Sequence, residues 1–236
     1  MYIPEARKTL VGLTGIILSL LLLNIISFLN VHINDLGQND AFFKMTNFNT
    51  EKNIPSVFSS LLHFLASICL GFVALSKLTV KKFVIFWWTM SFIFLFLGLD
   101  ELLRIHENIS GHTGVNEQDS GPFLYTWILY YMGGLLLLGI FFFKPLFQLP
   151  RKTLLSFIFA GILFVLGAVV LENVAGKYIW SNGIQPDVVQ IIPEIFIMYS
   201  IEEFLEMFGV SFFIYSILKF LHLYRVPVVI KKVTSS

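Results

Sequence analysis

"FVIFWWTMSFIFLFLGLDELLRIHE", residues 83–107, is an almost purely apolar run that ends in a burst of charge. A helix needs about 20 apolar residues to cross the hydrocarbon core of a bilayer. This run supplies them, and its charges come late. Asp100 lies about 25 Å along a helix that starts at Phe83, which places it near the far interface. The stretch therefore reads as one membrane span with a polar end. The fold depends on how many other runs of this kind the chain holds.

Five more qualify. The spans fall at residues 10–31, 54–76, 83–105, 122–143, 153–174 and 200–221, within a single integral membrane domain covering 1–236. The last apolar stretch, 188–223, is too long for one perpendicular crossing at about 1.5 Å per residue. Its first part, "DVVQIIPEIFIMY", is expected to be an outer interfacial segment or the start of a strongly tilted helix. The first span follows Arg7 and Lys8, like the basic start of a secretory signal. Its apolar part is longer than a signal core, and no small-x-small site follows, so a retained anchor is expected.

The whole composition agrees. The chain has 236 residues, of which 56% are hydrophobic and only 13% charged, with a mean hydropathy of +0.80. Soluble domains carry about a quarter charged residues, and disordered chains are poor in apolar residues. Both classes are excluded. The expected fold is an all-α, polytopic transmembrane bundle of six helices. The one cysteine, Cys69, sits in an apolar run and reads as a small buried residue. No intramolecular disulfide and no zinc-finger spacing is available.

Six spans put both termini on one side. Of the 16 Lys and Arg residues, only Lys44, Lys52, Arg104 and Lys177 fall on the other side. Basic residues accumulate in cytoplasmic loops, so both termini are expected in the cytoplasm and the protein in a plasma membrane. Among the acids only Glu5 shares the basic side. The rest lie in outer loops or outer parts of spans, and the positive-inside rule does not require that.

The outer acids come from several spans. Asp100, Arg104 and Glu107 are spaced i, i+4, i+7 and share a face if the helix continues, while Glu101 and His106 then point elsewhere. "VVLENVAGKY" puts Glu172 and Asn173 at the outer end of span five. "YSIEEFLEMFG" opens span six with Glu202, Glu203 and Glu206. Span two carries a stripe, Ser56, Ser60, His63 and Ser67, and span one adds Asn24 and Ser27. Polar groups inside a bundle turn away from lipid. A polar pocket open to the outer side is expected, lined by His63, Asp100, Arg104, Glu107, Glu172, Glu203 and Glu206. Each feature also has a plainer reading: a snorkelling helix end with a local ion pair for Asp100 and Arg104, and, for the stripe of span two, hydroxyls that bond their own backbone with His63 bonding a neighbouring helix.

Three functions fit. The acids outnumber nearby bases, so the pocket suits a cation, a proton or a metal ion, with His63 able to relay a proton near neutral pH. A structural or accessory membrane subunit is the second. The third is a metal-dependent membrane-embedded hydrolase. Ser59 and His63, with Asp100 on the next span, resemble the opening elements of intramembrane ceramidase-like and adiponectin-receptor-like hydrolases. The later His-x-x-x-His of those families is missing, and His222 stands alone. No cofactor can be assigned. The bilayer is the expected partner, nucleic acid is not, and no feature specifies a protein partner.

The stretches "NIPSVFSSLL", "LGLDELLRIHE", "LEN" and "EEFLEMFG" resemble those of a family of uncharacterised bacterial multi-pass membrane proteins. The resemblance runs from about Asn53 to Gly209 and implies class and location only. "DELLR" and "EEFLE" look like an internal repeat. An inverted transporter repeat would put them at mirrored depths, and both lie on the outer side.

Overall fold

The computed structural model describes residues 4–50, 52–76, 83–106, 109, 126–185 and 188–223. All regular structure among them is helical. α1 covers Ala6–Ile33, α2 Ala41–Thr46, α3 Ile54–Leu75, α4 Val84–Leu103, α5 Thr126–Phe147 and α6 Arg151–Val165. A π-helical turn, Leu166–Leu171, joins α6 directly to α7, Glu172–Ser181. A short 3-10 turn, Val189–Ile191, precedes α8, Pro193–Leu223. Six helices are long and apolar enough to cross a membrane, with α6, the π turn and α7 forming one of them. The protein is an integral, multi-pass membrane protein.

The span limits differ most from expectation in the last two spans. The fifth helix does not stop at residue 174 but runs through the π turn to Ser181. The sixth does not begin at residue 200. It starts at Pro193, whose fixed φ and missing N–H suit a first helical position, and continues for 31 residues, about 46 Å. Ile195 and Phe196, expected in an outer interfacial segment or in the start of a strongly tilted helix, are buried in this helix. The 33–53 loop also holds α2, capped by Asp40, whose Oδ1 accepts from the Phe43 backbone N–H at 2.9 Å.

α3 and α8 form the centre of the bundle. α3 packs along α4 and against α8, while α1 and α6 flank α8. Lipid tails are as apolar as Leu side chains, so close packing and small residues hold membrane helices together. The contacts follow that rule. A Cβ on Gly98 would lie 2.5 Å from the Phe64 ring, and one on Gly209 would lie 3.0 Å from the Phe164 backbone nitrogen. Ile17, Leu70, Met207, Ile214 and Ile217 are fully buried between these helices. α5 lies at the edge, with Leu136, Ile140, Phe141 and Phe143 exposed. It kinks at Phe142 ahead of Pro145.

The two ends of the described chain meet. The His222 ring Nε2 donates to the Pro4 carbonyl at 2.7 Å, so α1 starts where α8 finishes. Beside that contact, Lys8 pairs with Glu5 at 2.7 Å and holds its carboxyl below the usual range.

Candidate functional site

The serine stripe of α3 is mostly a seam. Ser60 donates to the Gly98 carbonyl at 2.7 Å. Ser67 donates to the Ser91 carbonyl at 2.7 Å, and Ser91 returns a bond to the Ser67 carbonyl at 2.8 Å. Ser56 completes a capping box with Asn53 at the start of α3. Ser60, Ser67 and Ser91 thus fix α3 against α4, whereas the plainer reading expected hydroxyls on their own backbone and His63 on a neighbouring helix. Asn24 acts similarly: its amide donates to Ser200 at 2.8 Å, and its oxygen accepts from the Phe48 backbone N–H at 3.2 Å.

His63 differs from its serine neighbours. It is buried, at 3% exposure, and its Nδ1 lies 3.0 Å from the Ser59 carbonyl. A carbonyl oxygen only accepts, so Nδ1 carries the hydrogen. Nε2 is left buried with no hydrogen-bond partner. The Phe164 ring meets the imidazole edge-on at 5.7 Å, and Phe94 lies at 6.1 Å.

The charged end of α4 departs from expectation. The helix stops at Leu103, and Arg104 takes a left-handed conformation with φ 59°. The regular i, i+4 face of Asp100 and Arg104 therefore does not form. Glu107 lies outside the described residues. Asp100 turns to the helix end instead. Its Oδ1 accepts from the His106 backbone N–H at 2.8 Å and lies 3.2 Å from His106 Nδ1. Its Oδ2 accepts from the Tyr131 hydroxyl of α5 at 2.9 Å. His106 thus folds back on Asp100 rather than pointing away.

Glu101, expected to face elsewhere, faces the bundle. Its carboxyl approaches the Ser59 hydroxyl, although Ser59 Oγ closes no hydrogen bond of normal geometry. The signal for this placement was Gly98. One turn before Glu101, that glycine lets α4 touch His63 and Phe64, so residue 101 shares the face that meets α3.

The remaining acids gather around α8. The charged groups facing Glu206 are Glu203, Glu202, Glu101 and Glu172. Those facing Glu202 are Glu172 and Glu203. Glu202 is 5% exposed, and its Oε2 is buried without a hydrogen-bond partner. Glu202 to Glu206 lie about 14–20 Å along α8 from Pro193, well inside its length. The π turn brings the fifth span against them. A Cβ on Gly167 would lie 2.7 Å from both the Glu202 carbonyl oxygen and Glu206 Cγ. The turn ends at Leu171, so Glu172 is the next residue. Single π turns inside helices occur often at functional sites.

Glu172 and Glu203 lie within electrostatic reach of Glu206, as do Glu101 and Glu202. His63 and Ser59 stand on the neighbouring helix α3. Asp100 belongs to a separate contact between α4 and α5. Arg104 lines a surface hollow with Lys44 and Lys52. Among the described residues, no three His, Cys, Asp or Glu side chains are placed to hold a metal ion.

A family model described as a domain of unknown function, DUF8692, matches residues 10–220. No curated protein matches the chain, and no solved structure does.

Proposed function

The chain belongs to the DUF8692 family, whose model spans nearly the whole bundle, and we propose from its own side chains that it is a proton-binding membrane protein. The site is the carboxyl cluster of Glu101, Glu172, Glu202, Glu203 and Glu206, with Ser59 and His63 beside it. One observation carries this reading: among the described residues, the charged groups within electrostatic reach of Glu206 are all carboxyls, contributed by α4, α7 and α8. Like charges inside hydrocarbon require compensating positive charge. The cluster is a set of acids within electrostatic reach of each other, not a set at metal-ligand positions, and protons supply that compensation without coordination geometry. His63, with its Nε2 lone pair free inside the bundle, is the group best suited to pass a proton onward.

The hydrolase reading loses its third element in this arrangement, since both Asp100 oxygens are engaged by His106 and Tyr131. The accessory-subunit reading draws on Asn24, Ser60 and Ser67, which register helices, but leaves Glu202 and Glu206 without a task. The distribution of Lys and Arg supports cytoplasmic termini with the cluster opening to the outer side, and the family resemblance suggests a bacterial inner membrane.

The test is infrared difference spectroscopy of the protein in nanodiscs across a pH titration, with Glu206→Gln and Glu202→Gln. A carboxyl band that titrates in the parent and is lost in either variant supports the proposal. A titration identical in all three defeats it. A spectrum that responds to sodium or calcium but not to pH replaces the proton with a cation.

A further inference from the structure

The carboxyl cluster stands on an aromatic floor. On α4, Glu101, Phe94 and Trp87 follow one another at intervals of seven residues, and on α8 so do Glu206, Phe213 and Phe220. Seven residues are almost two helical turns. Each acid therefore shares one helix face with its two rings, stacked about 10 Å apart. The fifth span places Phe164 and Phe157, also seven apart, ahead of the π turn and Glu172.

The rings meet across the bundle in two layers. In the layer nearer the acids, Phe94 and Phe213 stack at 4.7 Å with planes 3° apart, and Phe157 tilts onto Phe213 at 4.7 Å. In the deeper layer, Trp87 lies 5.6 Å from Phe220 and meets Phe157 edge-on at 6.5 Å. Phe86 extends this layer to Phe142 of α5 at 5.4 Å. His63 rests against the column through Phe94 and Phe164. On α3, Ala66, Leu70 and Val73 belong to the same buried core. The Ser67 and Ser91 hydroxyls beside it are committed to each other's carbonyls.

We propose that this aromatic column is a closed gate beneath the proton site, so that the carboxyl cluster exchanges protons only toward the end of the bundle where α4 finishes and α8 begins. The inference rests on the proton-binding reading and gives it a direction. Protons travel through proteins along water and hydrogen-bonding side chains. Phenyl rings provide no such path, and apolar constrictions shed water. From Glu206 to Phe220 the column runs for about 20 Å. The charged groups facing Glu206 are Glu101, Glu172, Glu202 and Glu203, and the one facing His63 is Asp100. All of them lie across the column from the contact of Pro4 with His222. Glu101 is two residues from the end of α4 and keeps partial exposure, which gives the cluster its route to that end.

The test uses the purified protein in phosphatidylcholine vesicles that enclose a pH dye. A pH step is imposed while potassium and valinomycin clamp the voltage. The parent should hold the step like protein-free vesicles. Phe213→Ser/Phe220→Ser takes one ring from each layer and supplies hydroxyls for water. Its proton flux should rise at least about tenfold, the effect of a modestly lowered barrier. Trp87→Ser/Phe94→Ser opens the same layers from α4 and replaces the first variant if melting temperatures show that it does not fold. Phe141→Ser, on the exposed side of α5, should stay tight. Adding Glu206→Gln to the conducting variant should abolish the extra flux, which a nonspecific leak would not do. A parent that conducts, opened variants that fold and stay tight, or a flux indifferent to Glu206→Gln overturns the gate. Infrared titration of the same samples tells the two readings apart. A titrating carboxyl band keeps the proton site even if the gate falls, and the lack of one removes both.

Discussion

Gly167 and Glu206 touch so closely that a Cβ on the glycine would stand 2.7 Å from Glu206 Cγ. The same Cβ would meet the Glu202 carbonyl oxygen at 2.7 Å, and that atom belongs to backbone that cannot step aside. Gly167→Ala is therefore expected to push the fifth span off α8 and to destabilise the protein by about 1–3 kcal/mol. Gly161, on the same span, has open space where its Cβ would be, so Gly161→Ala should leave stability nearly unchanged. Thermal unfolding of both variants in one detergent checks the pair. Equal melting temperatures would show that the close approach is not maintained.

Asn24 is 0% exposed and joins α8 to the loop before α3. Asn24→Leu leaves the Phe48 N–H and the Ser200 hydroxyl without this partner. The expected cost is about 1–2 kcal/mol, since single polar contacts between membrane helices average well under that and two are lost here. A double-mutant cycle with Ser200→Ala should return a coupling of about 0.5–1 kcal/mol. Strict additivity would mean the two residues do not interact.

α5 is tied to the bundle by few contacts, and the Tyr131 hydroxyl bond to Asp100 is a principal one. Trp127 adds a ring contact to His106 at 5.2 Å. Tyr131→Phe keeps the ring and removes the bond, at a cost of about 1 kcal/mol. Amide hydrogen exchange along α5 should accelerate while that of α3 and α8 does not. Unchanged exchange in α5 would count against the tether.

Membrane orientation is open to a direct measurement. In a Cys69→Ser background, an impermeant thiol reagent applied to intact cells should label Lys52→Cys and spare Lys8→Cys. The reverse pattern would invert the whole arrangement, while the juxtaposition of Pro4 and His222 would stand.

The number of spans was legible because hydrocarbon thickness leaves little freedom: a long apolar run crosses or is buried. Helix ends were less legible. Pro193 marked the start of α8 in the sequence, but the polar residues from Tyr199 onward drew the expected boundary inward. The face shared by Asp100 and Arg104 presumed a continuous helix, and no Gly or Asn announced the left-handed residue that ends it. The inward face of Glu101 could have been read from Gly98, since a glycine in a span marks close contact between helices. The π turn had no visible signature. It adds a residue to the helical repeat, so faces counted through it go astray, and Glu172 could be placed by level but not by direction. The hollow lined by Lys44, Lys52 and Arg104 was hidden because its residues are scattered along the sequence, and Lys44 and Lys52 counted only as exceptions to a charge rule.

The bond between Asn24 and Ser200 spans 176 positions of the chain. At roughly 5–20 residues per second, synthesis takes roughly 9–35 s to travel from one to the other. For that interval the first helix waits in the bilayer with an amide NH2 group that lacks its Ser200 partner, while α3 and α4, neighbours in sequence, are already able to close their serine seam. α8 carries Ser200, so its arrival releases the first helix from waiting. A chain stopped before α8 would thus orphan the Asn24 amide as well, giving the cell's quality-control proteases a polar handle within the lipid.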